Sequence, residues 1–211
     1  MIQRCLGLDI SRYSTGWCII DTLIINEVST NNDIINNKNE YRENMKIIDY
    51  GYIDSSKIKE EGKTLIFLEE KITNIIEQYL PNIIIIEQQY VGKNAQTGLV
   101  LAGIHAIVKL IAAKKDINII YYPILTMKSI TLNGIKLKKS DGTRKTGKEI
   151  KLEVKDTIFK LFDNVQFKNI TDDVTDAISA VITYVRLKGK PKGKQSADRK
   201  SNLGKKKILK K

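Results

Sequence analysis

The chain has few of the residues that build disulfide frameworks, zinc sites or histidine-based active sites. Its 211 residues include two cysteines, three prolines and a single histidine. With no Cys-x-x-Cys pair and no second pair of cysteines, the sequence excludes a zinc finger and a disulfide scaffold. We expect Cys5 and Cys18, each inside an apolar run, to be buried free thiols. His105 lies in an apolar helical stretch, so we expect it to be packed rather than catalytic.

Long apolar runs and targeting patterns are also missing. No stretch is apolar for long enough to span a bilayer, and the N-terminus lacks the pattern of a secretory signal. We therefore expect an intracellular protein with no membrane association, acting in the cytoplasm.

Positive charge is concentrated at one end of the chain. Residues 186–211 contain twelve Lys or Arg and one acid, whereas 1–185 contain 24 basic and 23 acidic residues. A block of this composition cannot form a core, and its natural partner is a polyanion, through release of counterions. We predict a folded domain over 1–186 and a basic, disordered, nucleic-acid-binding tail over 187–211. A solubility tail and a membrane-surface tether are alternatives, but no amphipathic helix or lipidation motif accompanies the block.

The order of apolar patterns predicts an α/β fold. Two strands separated by a short polar turn favour a hairpin, and Ile83 to Ile86 are typical of a strand covered on both faces. An antiparallel meander followed by helical crossovers gives a mixed five-stranded sheet, with three antiparallel strands and then parallel strands, flanked by helices. Strands are predicted at 3–9, 15–25, 46–54, 83–87 and 117–122; helices at 62–79, 95–114, 125–132, 148–162 and 173–186; and a basic, glycine-punctuated loop at 133–147.

Carboxylates stand where these elements end or begin. Asp9 and Glu87 close apolar strands, and Asp173 and Asp176 share one face at the start of the last helix. Each acid alone has an ordinary interpretation as a turn or cap residue, and we assign Asp172 to capping. If the two strands are neighbours, the four carboxylates converge, which is costly without a cation. Hard oxygen ligands select Mg²⁺ or Mn²⁺. We expect two Mg²⁺ ions, with Mn²⁺ as a substitute, because a two-metal site activates water and stabilises the leaving oxygen in phosphodiester hydrolysis.

The motifs around these acids resemble the RuvC family of the RNase H-like superfamily, over roughly positions 4–186. Gly7-Leu8-Asp9 with Thr15-Gly16-Trp17 resembles the first motif, although Ile10-Ser11 replaces the usual Pro-Gly. Ile86-Glu87-Gln88, with Tyr90 and Lys93-Asn94-Ala95, resembles the second, and Asp173-x-x-Asp176-Ala177 the last. The resemblance implies that Asp9, Glu87, Asp173 and Asp176 bind metal. It also implies a homodimer that makes symmetric nicks in four-way DNA junctions, in a diverged member such as phages carry.

The same resemblance suggests residues that contact DNA. Tyr90 matches an aromatic residue that stacks on bases at the junction, and Lys93 and Asn94 belong to the same motif. Lys128 and Lys148 resemble basic residues near the scissile phosphate, where Lys148 would be catalytic by neutralising developing charge. We expect the loop cations to hold backbone phosphate: Lys136, Lys138, Lys139, Arg144 and Lys145.

Three other functions are compatible with parts of the pattern. A related nuclease could act on flaps or RNA–DNA hybrids, and comparing cleavage of such substrates would separate it from a junction resolvase. An actin-like ATPase also carries an aspartate after its first strand, but no second glycine-rich phosphate loop is present here. A DNA-binding protein without activity would not need the intact carboxylate set.

Overall fold

The computed structural model describes residues 2–23, 45–88, 95–134 and 142–187, with the backbone alone at 95–97. All ten predicted elements are present, and each boundary lies within two residues of its predicted position. The strands are β1 Ile2–Asp9, β2 Ser14–Leu23, β3 Met45–Asp54, β4 Ile83–Glu87 and β5 Asn118–Tyr122. The helices are α1 Glu61–Tyr79, α2 Ala95–Lys114, α3 Ile124–Thr131, α4 Gly147–Leu161 and α5 Asp172–Arg186.

The five strands form one mixed sheet in the order β3-β2-β1-β4-β5. Strand β1 is central: it pairs antiparallel with β2 and parallel with β4, while β2–β3 is antiparallel and β4–β5 parallel. The predicted α/β class, the hairpin and the mixed sheet are therefore confirmed. Because β1 and β4 are adjacent and parallel, their C-terminal ends meet at the same edge.

Alternating side chains of the central strands supply two separate cores. Cys5, Ile83 and Ile85 face the layer formed by α3, α4 and α5. Leu6 and Ile84, on the opposite face, pack with α1 and α2. This period of two is what a strand covered on both faces produces.

Two glycines allow α5 to lie directly on the sheet. A Cβ atom at Gly7 would lie 2.3 Å from the carbonyl oxygen of Ala177, and one at Gly16 would lie 2.2 Å from the carbonyl oxygen of Asp173. Neither distance is possible for a real side chain, so only glycine lets the helix backbone come this close. The start of α5 is thereby fixed over β1 and β2.

The remaining predictions about single residues can be compared directly. Cys5 and Cys18 are buried free thiols, as predicted. His105 is 6% exposed in α2, which fits a packed residue. Among the described residues, no helix combines the length and apolarity needed to cross a membrane.

Candidate metal and nucleic-acid site

Asp9 and Glu87 end the two central parallel strands side by side. Leu8 pairs with Ile86 in the β1–β4 register, so the next position on each strand brings Asp9 beside Glu87. Alternation along the strands directs both carboxylates to the face covered by α5, because Ile85, two residues before Glu87, faces that layer. The two acids therefore share one edge and one face of the sheet.

Helix α5 brings two further acids to the same place. Gly16, which contacts the backbone of Asp173, is the cross-strand partner of Asp9. Asp176 follows one turn later and is 8% exposed, which is unusual for an aspartate. The four acids thus come from three segments that are remote in the sequence and adjacent in the fold: Asp9 from β1, Glu87 from β4, and Asp173 and Asp176 from α5.

The first turn of α5 differs from the predicted one in its cap. Thr171 is the N-cap residue, and its hydroxyl accepts a hydrogen bond from the N–H of Val174 at 3.3 Å. The assignment of Asp172 to capping was wrong, because both residues can cap and only the backbone decides which precedes the helix. Asp172 is instead exposed and forms an ion pair with Lys151, Nζ to Oδ2 3.1 Å.

Burial and mutual repulsion raise the pKa values of the acids. The pKa of Asp9 rises to about 8, chiefly through burial, and next through the negative charges of Asp176, Glu87 and Asp173. The pKa of Glu87 rises to about 7, again through burial and then through Asp176. Burial also raises the pKa of Asp176. A set of carboxylates that hinder one another's ionisation is a place where a cation would be stabilised.

The chemistry of this donor set fits a hard divalent cation, since carboxylate oxygens are the ligands that Mg²⁺ and Mn²⁺ prefer. Among the described residues, however, no three acidic, histidine or cysteine side chains converge closely enough to hold one ion as they stand. Carboxylates that repel one another are expected to stand apart. Rotation of these side chains about their own bonds would bring their oxygens toward a common cation.

In the described part of the chain, two lysines supply positive charge that acts on the acids. Lys128, on α3, lowers the pKa values of Glu87 and Asp176, as does Lys151 on α4. Lys128 was predicted from the sequence, but Lys151 was not. One signal was available: Lys151 lies one helical turn after the predicted Lys148, so the two share a face of α4.

The other predicted cations in the described part of the chain lie around the start of α4. Lys148 is exposed in the first turn, and Arg144 is exposed just before the helix. The side chain of Lys145 is 16% exposed and forms an ion pair with Glu153, so its charge is already partly balanced. Six predicted DNA-binding residues lie outside the described residues: Tyr90, Lys93, Asn94, Lys136, Lys138 and Lys139.

A family model gives the chain its place among known proteins. The model of the crossover junction endodeoxyribonuclease RuvC family matches residues 27–184, well over half of the chain. The chain belongs to the RuvC family. The match includes Glu87, Asp173 and Asp176 and begins after the strand that carries Asp9.

Individual relatives and structures agree with the family. The RuvC of Fusobacterium nucleatum is 25% identical over 96% of this chain and 89% of its own. The RuvC of Caldicellulosiruptor saccharolyticus is 27% identical over 61% of this chain and 68% of its own. Thermus thermophilus RuvC in complex with a Holliday junction substrate matches with a TM-score of 0.61 and 10% identity, over 90% of this chain and 98% of that one. The yeast mitochondrial Holliday junction resolvase Ydc2 has a TM-score of 0.55 and 13% identity, over 88% and 79%. The RNase H-like fold predicted for the RuvC resemblance is therefore confirmed.

Proposed function

We propose that this RuvC-family chain is a divalent-metal-dependent endonuclease that cleaves branched DNA, above all four-way junctions, by phosphodiester hydrolysis with symmetric nicks. Its relatives are named crossover junction endodeoxyribonucleases. The observation that carries the proposal is the meeting of Asp9 and Glu87 with the two aspartates of α5 on one face of the sheet.

The four carboxylates, Asp9, Glu87, Asp173 and Asp176, would hold two Mg²⁺ ions, with Mn²⁺ as a substitute. When bound, the metal would supply an activated water and stabilise the leaving oxygen. The chain's own residues keep Asp9, Glu87 and Asp176 partly or largely buried, where their charges act more strongly than in water.

The lysines beside the acids suit the approach of a phosphate. Lys128 and Lys151 act on the same carboxylates from α3 and α4, so both can balance the charge of a DNA strand at the site. Lys148 and Arg144, exposed at the start of α4, extend this positive surface. We include in the proposal Tyr90 as a base-stacking residue, the other predicted motif and loop residues as DNA contacts, and a basic segment over 187–211 that binds DNA outside the domain 1–186. We also propose a cytoplasmic location.

Helix α2 offers a surface for a homodimer. Leu99 and Leu110 are 67% and 53% exposed. They lie three helical turns apart on the side opposite Ile104 and Val108, which are fully buried. Sedimentation of Leu99→Glu and Leu110→Glu variants tests this part of the proposal: a monomer is expected, and an unchanged dimer would move the interface elsewhere.

A panel of substrates tests the activity. The protein is incubated with a four-way junction, a flap, an RNA–DNA hybrid and linear duplex of matched sequence, each with Mg²⁺, Mn²⁺ or Ca²⁺. We expect Mg²⁺- and Mn²⁺-dependent nicks at symmetric positions on two strands that face each other across the branch point. Asp9→Asn should abolish cleavage and leave binding intact. Normal cleavage by that variant would refute the site.

The panel also separates the alternatives. Preferred cleavage of flaps or hybrids would keep the metal site and change the substrate. ATP hydrolysis without cleavage would favour the actin-like ATPase, and binding without cleavage in any metal would leave a DNA-binding protein without activity.

A further inference from the structure

A tyrosine lies in the same cross-strand row as Asp9. Asp9 pairs with Gly16 across β1 and β2, and Gly16 pairs with Tyr52 across β2 and β3. Adjacent strands are about 4.8 Å apart, so the Cα atoms of Asp9 and Tyr52 are separated by about 10 Å. That distance corresponds to about three stacked steps along a DNA strand, at 3.4 Å each.

Tyr52 also points to the face that carries the acids. Tyr50, two residues earlier on β3, packs into the α5 layer, and alternation directs Tyr52 the same way. The two tyrosines have different surroundings. The Tyr50 ring lies against Phe167 with centroids 5.4 Å apart, and its hydroxyl accepts a hydrogen bond from the N–H of Lys168 at 2.7 Å. Tyr52 is 49% exposed, so its ring is open to a ligand.

A cation lies at the same end of the sheet. Arg12 is exposed in the β1–β2 turn, and its guanidinium lies 5.2 Å from the ring centroid of Tyr13. Ser11, which replaces the usual glycine of the family, holds this turn: its hydroxyl donates to the carbonyl of Ser14 at 2.5 Å and accepts from the Ser14 N–H at 3.1 Å.

The turn is also tied to the end of β3, close to Tyr52. The Ser55 hydroxyl donates to the carbonyl of Arg12 at 2.8 Å, and the Ser55 N–H donates to that of Tyr13 at 2.9 Å. The turn and the strand thus form one fixed unit. Because the backbone of the turn is already fixed, binding by the Tyr52 ring and the Arg12 guanidinium needs ordering of the side chains only.

An open aromatic ring with a cation nearby suits a nucleotide. The ring can stack on any base, and the guanidinium can bind phosphate. In an intact duplex each base is covered by its neighbours. The tyrosine ring can therefore stack only on a base that has left the duplex stack, as at a branch point. A tyrosine about 10 Å from Asp9 would meet a base within a few nucleotides of the reacting phosphate.

We propose that Tyr52 stacks on an unpaired base of the substrate strand on the β2–β3 side of the carboxylate site, and that Arg12 binds the adjacent backbone phosphate. This contact is separate from Tyr90, which follows β4 in the sequence. It rests on the proposed function, because it requires a DNA strand at the acids.

A thermodynamic cycle tests the stacking. Binding to a four-way junction is measured in EDTA, so that the DNA stays intact, for the wild-type protein and Tyr52→Ala. A set of junctions then carries one abasic nucleotide at each position within five of the branch point. We expect Tyr52→Ala to weaken binding to the intact junction by about tenfold. At one or two positions, Tyr52→Ala and the abasic site combined should weaken binding no more than either change does alone, because each removes one partner of the same stack.

Three further variants complete the test. Tyr52→Phe keeps the ring and should bind like the wild type. Arg12→Gln should weaken binding to intact and abasic junctions alike and reduce the salt dependence by about one counterion. Leu80→Ala is the control. Leu80 is 73% exposed and precedes the N-terminal end of β4, whereas Glu87 lies at the C-terminal end, so this substitution should leave DNA binding unchanged.

The outcomes separate this inference from the proposed function. The stacking role is refuted if Tyr52→Ala binds like the wild type. It is also refuted if, at every position, the binding free energy lost with Tyr52→Ala adds to the binding free energy lost with the abasic site. Cleavage of intact junctions by the wild-type protein in Mg²⁺ is measured separately. If the wild type cleaves junctions and Tyr52→Ala binds them normally, only the stacking inference is overturned. Absence of cleavage in any metal overturns the proposed function.

Discussion

Replacing Asp9 with asparagine removes one of four crowded carboxyl groups and keeps the shape of the side chain. Burial and the neighbouring acids raise the pKa of Asp9 from 3.8 to about 8. That difference of about four pH units, at about 1.4 kcal/mol per unit, sets an upper limit of about 6 kcal/mol on the cost of ionising Asp9 in the folded protein. Because the carboxyl group is partly open to water, we expect the actual cost of ionising Asp9 to be about 2 kcal/mol at pH 9 in the absence of metal.

The pH dependence follows from where the protons are held. The folded chain keeps a proton on Asp9 that the unfolded chain releases near pH 4, so the free energy of unfolding falls as the pH rises from about 4 to about 8. Glu87, with its pKa at about 7, adds to the same decline. Asp9→Asn lacks the contribution of Asp9 to this decline. The free energy of unfolding of Asp9→Asn should therefore exceed that of the wild type by an amount that grows with pH. For a domain of this size, about 2 kcal/mol corresponds to a Tm about 4–8 °C higher at pH 9.

Thermal unfolding in EDTA between pH 4 and pH 9 measures this difference. Asp156→Asn, at an exposed position of α4, is the matched control and should leave the pH dependence unchanged. Adding Mg²⁺ should raise the Tm of the wild type more at pH 8 than at pH 6, because metal binding needs ionised ligands, and should raise that of Asp9→Asn less. If Asp9→Asn were less stable than the wild type at pH 9 without metal, the crowding of these acids would be refuted.

Three other changes examine the frame around the acids. Gly16→Ala should displace the start of α5, lowering stability by about 1–3 kcal/mol and reducing cleavage strongly, as measured by urea unfolding and junction cleavage; wild-type activity would show that the close approach is not required. Lys151→Gln should reduce the rate of cleavage more than Lys148→Gln, because Lys151 acts on all four acids; the reverse order in single-turnover rates would restore Lys148 as the main cation. Deletion of 187–211 should weaken DNA binding and flatten its dependence on salt, and an unchanged slope would remove the segment from the interface.

The strands and helices could be predicted because their signals are local. Ile83 to Ile86 form a continuous apolar run that ends in Glu87, and the apolar positions of α1 recur at helical spacing, so neither depends on the rest of the fold. Two of the acids were predictable for a related reason. Asp9 and Glu87 end apolar strands, and a charge at such a position has few structural roles.

What the sequence left open depends on contacts between remote segments. The importance of Gly7 and Gly16 becomes clear only with α5 against them, more than 150 residues later. Lys151 was missed because its effect on the acids depends on how α4 lies beside α5. Thr171 and Asp172 are both good cap residues, and the backbone alone selects Thr171.

The glycines and the acids make the stability of the last helix part of the proposed chemistry. Gly7 and Gly16 bring α5 into backbone contact with β1 and β2, which also places Asp173 and Asp176 against Asp9. Without a cation, repulsion among these carboxylates opposes the contact that the glycines permit. A metal at one hundred times its dissociation constant would stabilise the folded chain by about 2.7 kcal/mol. That value is close to the cost of about 2 kcal/mol expected for ionised Asp9, so bound metal would offset it. The same ions that the reaction needs would then hold α5 in its position on the sheet.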